Sequence, residues 1–274
     1  GEKRMKLIAI GDNVTDCYVD EGVYFPGGNA VNVAVNCKRD GAEKVQYIGV
    51  FGNDDKARYI QQCLDEEGVF YERSRKVYAH SAQPKVYLKD GDRVFAGGPR
   101  ESCQHLFSIK IVKEDIDVIK EFDICHTSCF SNLEYELPVL SEVCDLSFDF
   151  SEEHKMDYLK KTCPYLTYAF FSGEGLREEE CKKLLHEVSK LGTKIAGVTR
   201  GMKGSIFYDG KKFYHQGIKK VHATDTMGAG DSFIAGFLTS TGDGGTIEEA
   251  LDYAAERSAH TCTMPGGFGH PHPL

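Results

Sequence analysis

One run, Asp225-Thr226-Met227-Gly228-Ala229-Gly230-Asp231-Ser232-Phe233-Ile234-Ala235-Gly236-Phe237-Leu238, leaves this chain few folding options. Its first half is small residues ending on a carboxylate. Its second half is apolar at helical spacing, Phe233 and Ile234, then Phe237 and Leu238. The pattern predicts a glycine-bearing turn that opens a buried helix. A helix start leaves backbone N–H groups without partners, and these amides, with the helix dipole, attract anions. Gly228, Ala229 and Gly230 have almost no side chain to keep a phosphate away. Asp231 then stands at the mouth of an anion site, where a second negative group is costly unless the chemistry uses both. A carboxylate beside a phosphoryl group can take the proton of an attacking hydroxyl while amides hold the developing charge. Taken alone, Gly-x-Gly-Asp reads better as a helix-start carboxylate next to glycines that only permit close packing; the whole run weighs against that.

A second informative run lies near the other end. Lys6-Leu7-Ile8-Ala9-Ile10 reads as a buried strand closed by Gly11-Asp12, with Asp16 just beyond. Ligands of open parallel sheets sit outside the carboxyl ends of strands. Asp12 and Asp16 could accept hydrogen bonds from sugar hydroxyls there, or serve the turn itself. Phe25-Pro26-Gly27-Gly28-Asn29-Ala30-Val31-Asn32 follows, a glycine turn before an Ala/Val helix. Asn29 and Asn32 share a face at its start and suit polyol recognition. The alternative is an N-cap at Asn29 with Asn32 in solvent.

Taken together, the two runs resemble the ribokinase-like (PfkB) sugar kinase family. Asp225 to Asp231 is similar to its C-terminal Asp-Thr-x-Gly-Ala-Gly-Asp signature, and Gly27 to Asn32 to its N-terminal Gly-Gly-x-x-x-Asn. The resemblance implies an α/β three-layer αβα sandwich with a small β-sheet lid. Residues 1–274 would form one kinase domain, with lid strands inserted at about 16–26 and 76–98. It implies Asp231 as catalytic base and the amides of Gly228, Ala229 and Gly230 as an anion hole. Asp12, Asp16, Gly28, Asn29 and Asn32 would contact the sugar. ATP would lie along Asp225, Thr226, Gly228 and Gly230, with Mg²⁺ on its phosphates. In some relatives a monovalent cation such as K⁺ binds near the residue matching Asp225.

The middle of the chain fits more loosely. Gln83–Leu88 and Arg93–Ala96 alternate around Lys89-Asp90-Gly91-Asp92, a hairpin signal. In the family such strands cover the sugar and close to exclude water. Tyr18, Tyr24, Tyr87, Arg93 and Phe95 are the lid candidates, with Arg93 on the substrate or, alternatively, a solvated cross-strand charge. Asn53-Asp54-Asp55 caps a helix expected to run through Leu64. From about Glu114 the pattern becomes repeated βα units. Strands are expected at Phe122–His126, Leu146–Phe150 and Tyr168–Phe171, with Asp149 a site candidate at a strand end. Val198-Thr199-Arg200-Gly201-Met202-Lys203-Gly204 resembles the family's Val-Thr-x-Gly-x-x-Gly nucleotide loop, placing Thr199, Gly201 and Gly204 along ATP. Ile247–Thr263 reads as a helix that would flank the adenine. The family's Asn-x-x-Glu is altered: Ser172 and Gly175 stand at its ends. Glu174, one residue out of register, is the candidate metal-organising carboxylate.

Composition narrows the partners. A net charge of −9 argues against a nucleic-acid surface, which needs a basic face. No run is long and apolar enough to cross a membrane. The polar start Gly1–Met5 runs directly into a strand, so no secretory signal is expected; Gly1–Arg4 is either native or an addition ahead of Met5. The 10 Cys are irregularly spaced. Cys125 and Cys129 lack the second pair of a zinc site. Reduced, mostly buried thiols in a cytoplasmic protein are expected. The His270-Pro271-His272-Pro273 tail is expected to fray, and exposed lid edges to allow a homodimer.

Within the family, Ile10–Asn13, Gly27–Val35, Asp92–Phe95 and Asp225–Leu238 look most like fructoselysine 6-kinases, which phosphorylate fructose–amino-acid adducts at O6. Fructokinase- and 2-keto-3-deoxygluconate-kinase-like enzymes are the near alternatives. From another class, a non-catalytic sugar or nucleotide sensor would keep the fold but has no need of Asp231. A hydroxymethylpyrimidine kinase-like enzyme would share the fold, usually without the lid.

Overall fold

Short Ile-, Val- and Phe-rich strands alternating with helices build a parallel sheet covered on both faces. The computed structural model describes residues 1–274. Its 8-stranded sheet runs Phe213–Gln216, Ser205–Tyr208, Ile195–Thr199, Tyr168–Ser172, Asp145–Ser151, Ile124–Ser128, Lys6–Ile10, Lys44–Ile48. All are parallel except the pairing of the first two strands with each other and with Ile195–Thr199. Side chains alternate across this sheet. Leu7 and Ala9 enter one core, Ile8 and Ile10 the other.

Helices Asn29–Arg39, Asp55–Glu67, Ala229–Gly242 and Ile247–Thr261 cover the first face. Lys113–Ile119, Leu137–Ser141, Met156–Thr162 and Glu178–Lys190 cover the second. The result is the αβα sandwich. The Ala229–Gly242 helix lies against both the Asn29–Arg39 and Ile247–Thr261 helices and is buried from Ser232 through Thr239. That is why its sequence is apolar all round and not striped.

A second sheet of five strands runs His272–Pro273, Val23–Gly27, Val14–Tyr18, Lys85–Lys89, Asp92–Phe95. Its hairpin turns at Asp90-Gly91, with φ of 52° and 83°. Positive φ at both central residues matches the twist of the flanking strands. The hairpin tip rests on the loop before Asp231: Thr226 N–H donates to Gly91 O at 3.1 Å, and Arg93 Nη1 donates to Thr226 O at 3.2 Å.

The structure corrects several expected boundaries. The Asp55 helix continues past Leu64 to Glu67 because Gly68, at φ 73°, supplies the left-handed stop. The strand expected at Phe122–His126 is Ile124–Ser128, since Asp123 uses its carboxylate to accept from Lys6 N–H at 2.9 Å. The tail does not fray. His272-Pro273 pairs with Val23-Tyr24, and the His272 ring stacks on Tyr24 at 4.8 Å. Tyr59 Oη also donates to His270 O at 2.9 Å. All 10 cysteines are free thiols, none of them disulfide-bonded.

Candidate active site

The connection after Lys6–Ile10 crosses one face of the sheet, and that after Ile124–Ser128 crosses the other. A crevice opens outside the carboxyl ends of strands at such a reversal. The Asn29 and Ala229 helices both start there.

Gly28 sets the first helix in place. Its φ is 101°, and a Cβ on it would lie 2.9 Å from Asp12 O. Only glycine allows both the conformation and the approach. Asp12 then reaches the helix start, accepting from Asn29 N–H and Ala30 N–H, each at 3.1 Å. Asp12 therefore caps a helix. Burial pushes its carboxyl up to about 6 despite those amides. The carboxylate of Asp16, a residue only 2% exposed in the strand paired with Val23–Gly27, accepts no hydrogen bond from the protein. Burial pushes it to about 7, with Arg93 opposing and Asp231, Asp12 and Asp225 adding repulsion.

Asn29 and Asn32 do not face solvent. Asn29 Nδ2 donates to Asp231 Oδ1 at 2.7 Å, and Asn32 Nδ2 to Asp231 Oδ2 at 2.8 Å. Each carboxylate oxygen of Asp231 is thus held by one amide, which fixes its orientation. Asn29 Nδ2 also donates to Asp149 Oδ2 at 2.9 Å. Asp231 remains half-buried, beside an exposed Gly230. Burial raises its proton affinity, opposed by the two amides and then by Arg93.

The turn ahead of Asp231 has the expected form. Gly228 is left-handed at φ 74°, and a Cβ there would lie 2.9 Å from Gly267 Cα. The N–H groups of Gly228, Gly230 and Asp231 have no acceptor in the protein, whereas Ala229 N–H bonds Thr226 O. Unpaired amides at a helix start beside a held carboxylate are the elements of an anion site with a base in it. Asp225 lies beneath, fully buried. It accepts from Tyr18 Oη at 2.5 Å, Met227 N–H at 2.9 Å and Gly266 N–H at 2.8 Å. It ties lid, turn and C-terminal loop together.

Thr199 ends its strand on the same edge of the sheet, with Oγ1 donating to Phe171 O at 3.4 Å. Gly201 and Gly204 carry φ of 56° and 79° in the turn that follows. Exposed Glu174 packs against that turn: a Cβ on Gly201 would lie 2.8 Å from Glu174 Oε1.

Two buried residues went unseen in the sequence. His126 Nε2 lies 2.9 Å from Asn29 Oδ1, and its Nδ1 lies 2.8 Å from Ser147 Oγ. A histidine between two cysteines carries no visible signal. Only the strand register, which sets Ser147 opposite His126, reveals the pair.

Burial raises Asp149 to about 7, with Asp231 adding repulsion. A folded-state pKa above the unfolded value of about 3.9 means that the folded state binds more protons between those limits. Stability therefore falls as pH rises through that window. We expect the melting temperature to increase on acidification from pH 8 to 5, and Asp149→Asn to flatten the slope. A slope unchanged in that variant would remove Asp149 from the effect.

With this geometry in hand, similarity to known proteins becomes informative. The model of the pfkB family carbohydrate kinases matches residues 1–148 and 167–270. The chain belongs to the pfkB family of carbohydrate kinases. Fructosamine kinase FrlD of Bacillus subtilis (strain 168) is 43% identical over 98% of this chain and 95% of its own. Fructoselysine 6-kinase of Escherichia coli (strain K12) is 36% identical over 96% of this chain and 100% of its own. Arabidopsis thaliana ribokinase, solved with ribose and ATP, superposes with a TM-score of 0.83 at 20% identity, over 96% of this chain and 94% of that one. That likeness speaks for the fold alone.

As a carbohydrate kinase the protein uses ATP, and with it Mg²⁺. Mg²⁺ keeps most of its waters and needs few protein carboxylates beyond the substrate phosphates. A lone carboxylate at the crevice fits that demand, and the side chain against the Gly201–Gly204 turn is Glu174. No helix is long and apolar enough to cross a membrane.

Proposed function

We propose that this kinase phosphorylates O6 of a fructosamine such as fructoselysine. The observation that carries the chemistry is Asp231, gripped by Asn29 and Asn32 beside the unpaired amides of Gly228 and Gly230. Asp231 takes the proton of the acceptor hydroxyl. The hydroxyl oxygen forms the new bond to the γ-phosphorus, the bridging P–O bond breaks, and ADP leaves with its electrons. Gly228, Ala229 and Gly230 line the path of the transferred group. Mg²⁺, on phosphates beside Glu174, would neutralise charge. Thr199, Gly201, Gly204 and Thr226 would border the nucleotide. Asp16 and Asn32 would meet the sugar, with Gly28 and Asp12 shaping that wall and Arg93 closing over it.

The names of the relatives point to a fructosamine, and the charge of the crevice supports it. Beyond Asp149, whose Oδ1 accepts from Ser151 N–H at 2.8 Å, lies a recess of about 390 Å³. Phe130 and Tyr158 line it together with Glu152 and Glu153. An ammonium-bearing arm on the sugar would find apolar walls and two carboxylates there. A coupled ADP-release assay with fructoselysine, other fructosamines, fructose, 2-keto-3-deoxygluconate and aldoses tests the reading. Highest kcat/KM on a fructosamine is expected; preference for free fructose would overturn it. In the Glu152→Gln/Glu153→Gln double variant, KM for fructoselysine should rise about tenfold, as loss of 1–2 kcal/mol of charged hydrogen bonding implies. KM for fructose should hold.

A homodimer through the lid belongs to the same proposal. The edge strand Asp92–Phe95 leaves Val94 and Phe95 about half exposed, and an unpaired edge of this kind invites a second copy. Dependence on a monovalent cation near Asp225 is read out by comparing K⁺ with Na⁺ in the same assay.

A further inference from the structure

We infer that His126 is a positioning residue for phosphoryl transfer, and that it acts by fixing which way round the Asn29 amide sits. The inference rests on the reading of Asp231 as the base.

An asparagine amide presents an acceptor on one side and two donors on the other, and its neighbours decide the orientation. Asn29 has two carboxylate oxygens on one side, Asp231 Oδ1 at 2.7 Å and Asp149 Oδ2 at 2.9 Å. On the other side it has a single ring nitrogen, His126 Nε2 at 2.9 Å. With the NH₂ toward the carboxylates, each hydrogen meets one acid and Oδ1 needs a donor from His126. With the amide reversed, an oxygen would face two carboxylates at hydrogen-bond distance.

His126 can supply that donor in one tautomer only. The ring is fully buried, and burial drives its pKa down to about 3, so the imidazole is neutral, with one donor and one acceptor. If Nε2 carries the hydrogen, Nδ1 must accept, and Ser147 Oγ–H at 2.8 Å donates to it. If Nδ1 carried the hydrogen, Nε2 would need a donor from Asn29, and the amide would have to reverse. One consistent chain remains. Ser147 donates to His126, His126 donates to Asn29, and Asn29 donates to Asp231 and Asp149. The register that sets Ser147 opposite His126 builds the first link into the sheet.

Without this chain, Asp231 keeps Asn32 but loses a dependable second donor. The charged groups that bear on Asp231 are Asp12 beyond the Lys6–Ile10 strand, Asp16 and Arg93 from the lid sheet, and Asp149 from the Asp145–Ser151 strand. Only Arg93 among them favours the ionised base. A freed amide therefore raises the proton affinity of the base and loosens its aim.

The test compares His126→Leu, His126→Gln and Ser147→Ala in the full-length enzyme, with melting temperature and ATP affinity measured alongside kcat across pH. His126→Leu should lower kcat about 10–100-fold, the size of loss that removing an orienting partner of a metal ligand causes. The acid limb of kcat should move up by roughly one pH unit, with ATP affinity unchanged. Gln, which can place an N–H where Nε2 stood, should restore most of the activity. If His126→Leu does not fold, Ser147→Ala carries the test through a smaller drop and the same direction of pH shift. An unmoved pH limb in the folded variants, or equal losses with Gln and Leu, overturns the inference. If Asp231→Asn keeps full activity, the base assignment fails instead, and the two failures remain distinguishable.

Discussion

Asp231→Asn is expected to lower kcat about 10²–10⁴-fold while ATP still binds. The size of the loss follows from what the amide cannot do. It keeps the shape of the carboxylate, and one oxygen still accepts from Asn29 or Asn32, but it does not take a proton from the acceptor hydroxyl. The unpaired amides of Gly228 and Gly230 are untouched, so the phosphates keep their site. The native enzyme should show an acid limb in kcat/KM above the ordinary aspartate range, because burial raises the proton affinity of Asp231. That limb should vanish in the variant. Steady-state kinetics across pH with calorimetric ATP binding checks both points. Native-like turnover would remove Asp231 from the mechanism.

Asp225→Ala is expected to produce the largest loss of stability, about 3–5 kcal/mol. The side chain is fully buried and accepts from three donors on three separate parts of the chain. Alanine would leave Tyr18 Oη, Met227 N–H and Gly266 N–H unpaired away from water, and each such group carries a penalty of about 1–3 kcal/mol. For a chain of this size the melting temperature should fall by roughly 6–20 °C. Because Tyr18 belongs to the lid sheet and Met227 to the turn before Asp231, proposed to hold the phosphates, KM for both substrates should rise as well. A fall of less than about 2 °C would mean that water or a neighbour replaces the carboxylate without cost.

Asp231 could be picked out from the sequence, because a glycine turn opening a helix is a local object: glycines, a helix start and a carboxylate contiguous in the chain. The same holds for the Asp90-Gly91 hairpin and for the Asn29 helix behind its glycine turn. Asp225 stood out only as part of the motif, and its three partners come from residues 18, 227 and 266. Asp12 and Asp16 looked interchangeable, yet one carboxylate caps a helix and the other accepts no hydrogen bond. The histidines of the tail looked loose because their partner strand lies far upstream.

Local spacing along the chain therefore marks the βα units, the glycine turn and the carboxylate that follows it, since period, turn chemistry and helix-end polarity act over a few residues; the resemblance to the pfkB family, and not the spacing, implied the three-layer order and a base at Asp231. Tertiary structure alone decided what surrounds that carboxylate: Asn29 and Asn32 from one helix bond it, and behind Asn29 stand Asp149 and Ser147 from one strand and His126 from another. Hydrogen bonds reach only about 3 Å. Which residues come within that reach is set by strand order and register, and neither is written in any one segment.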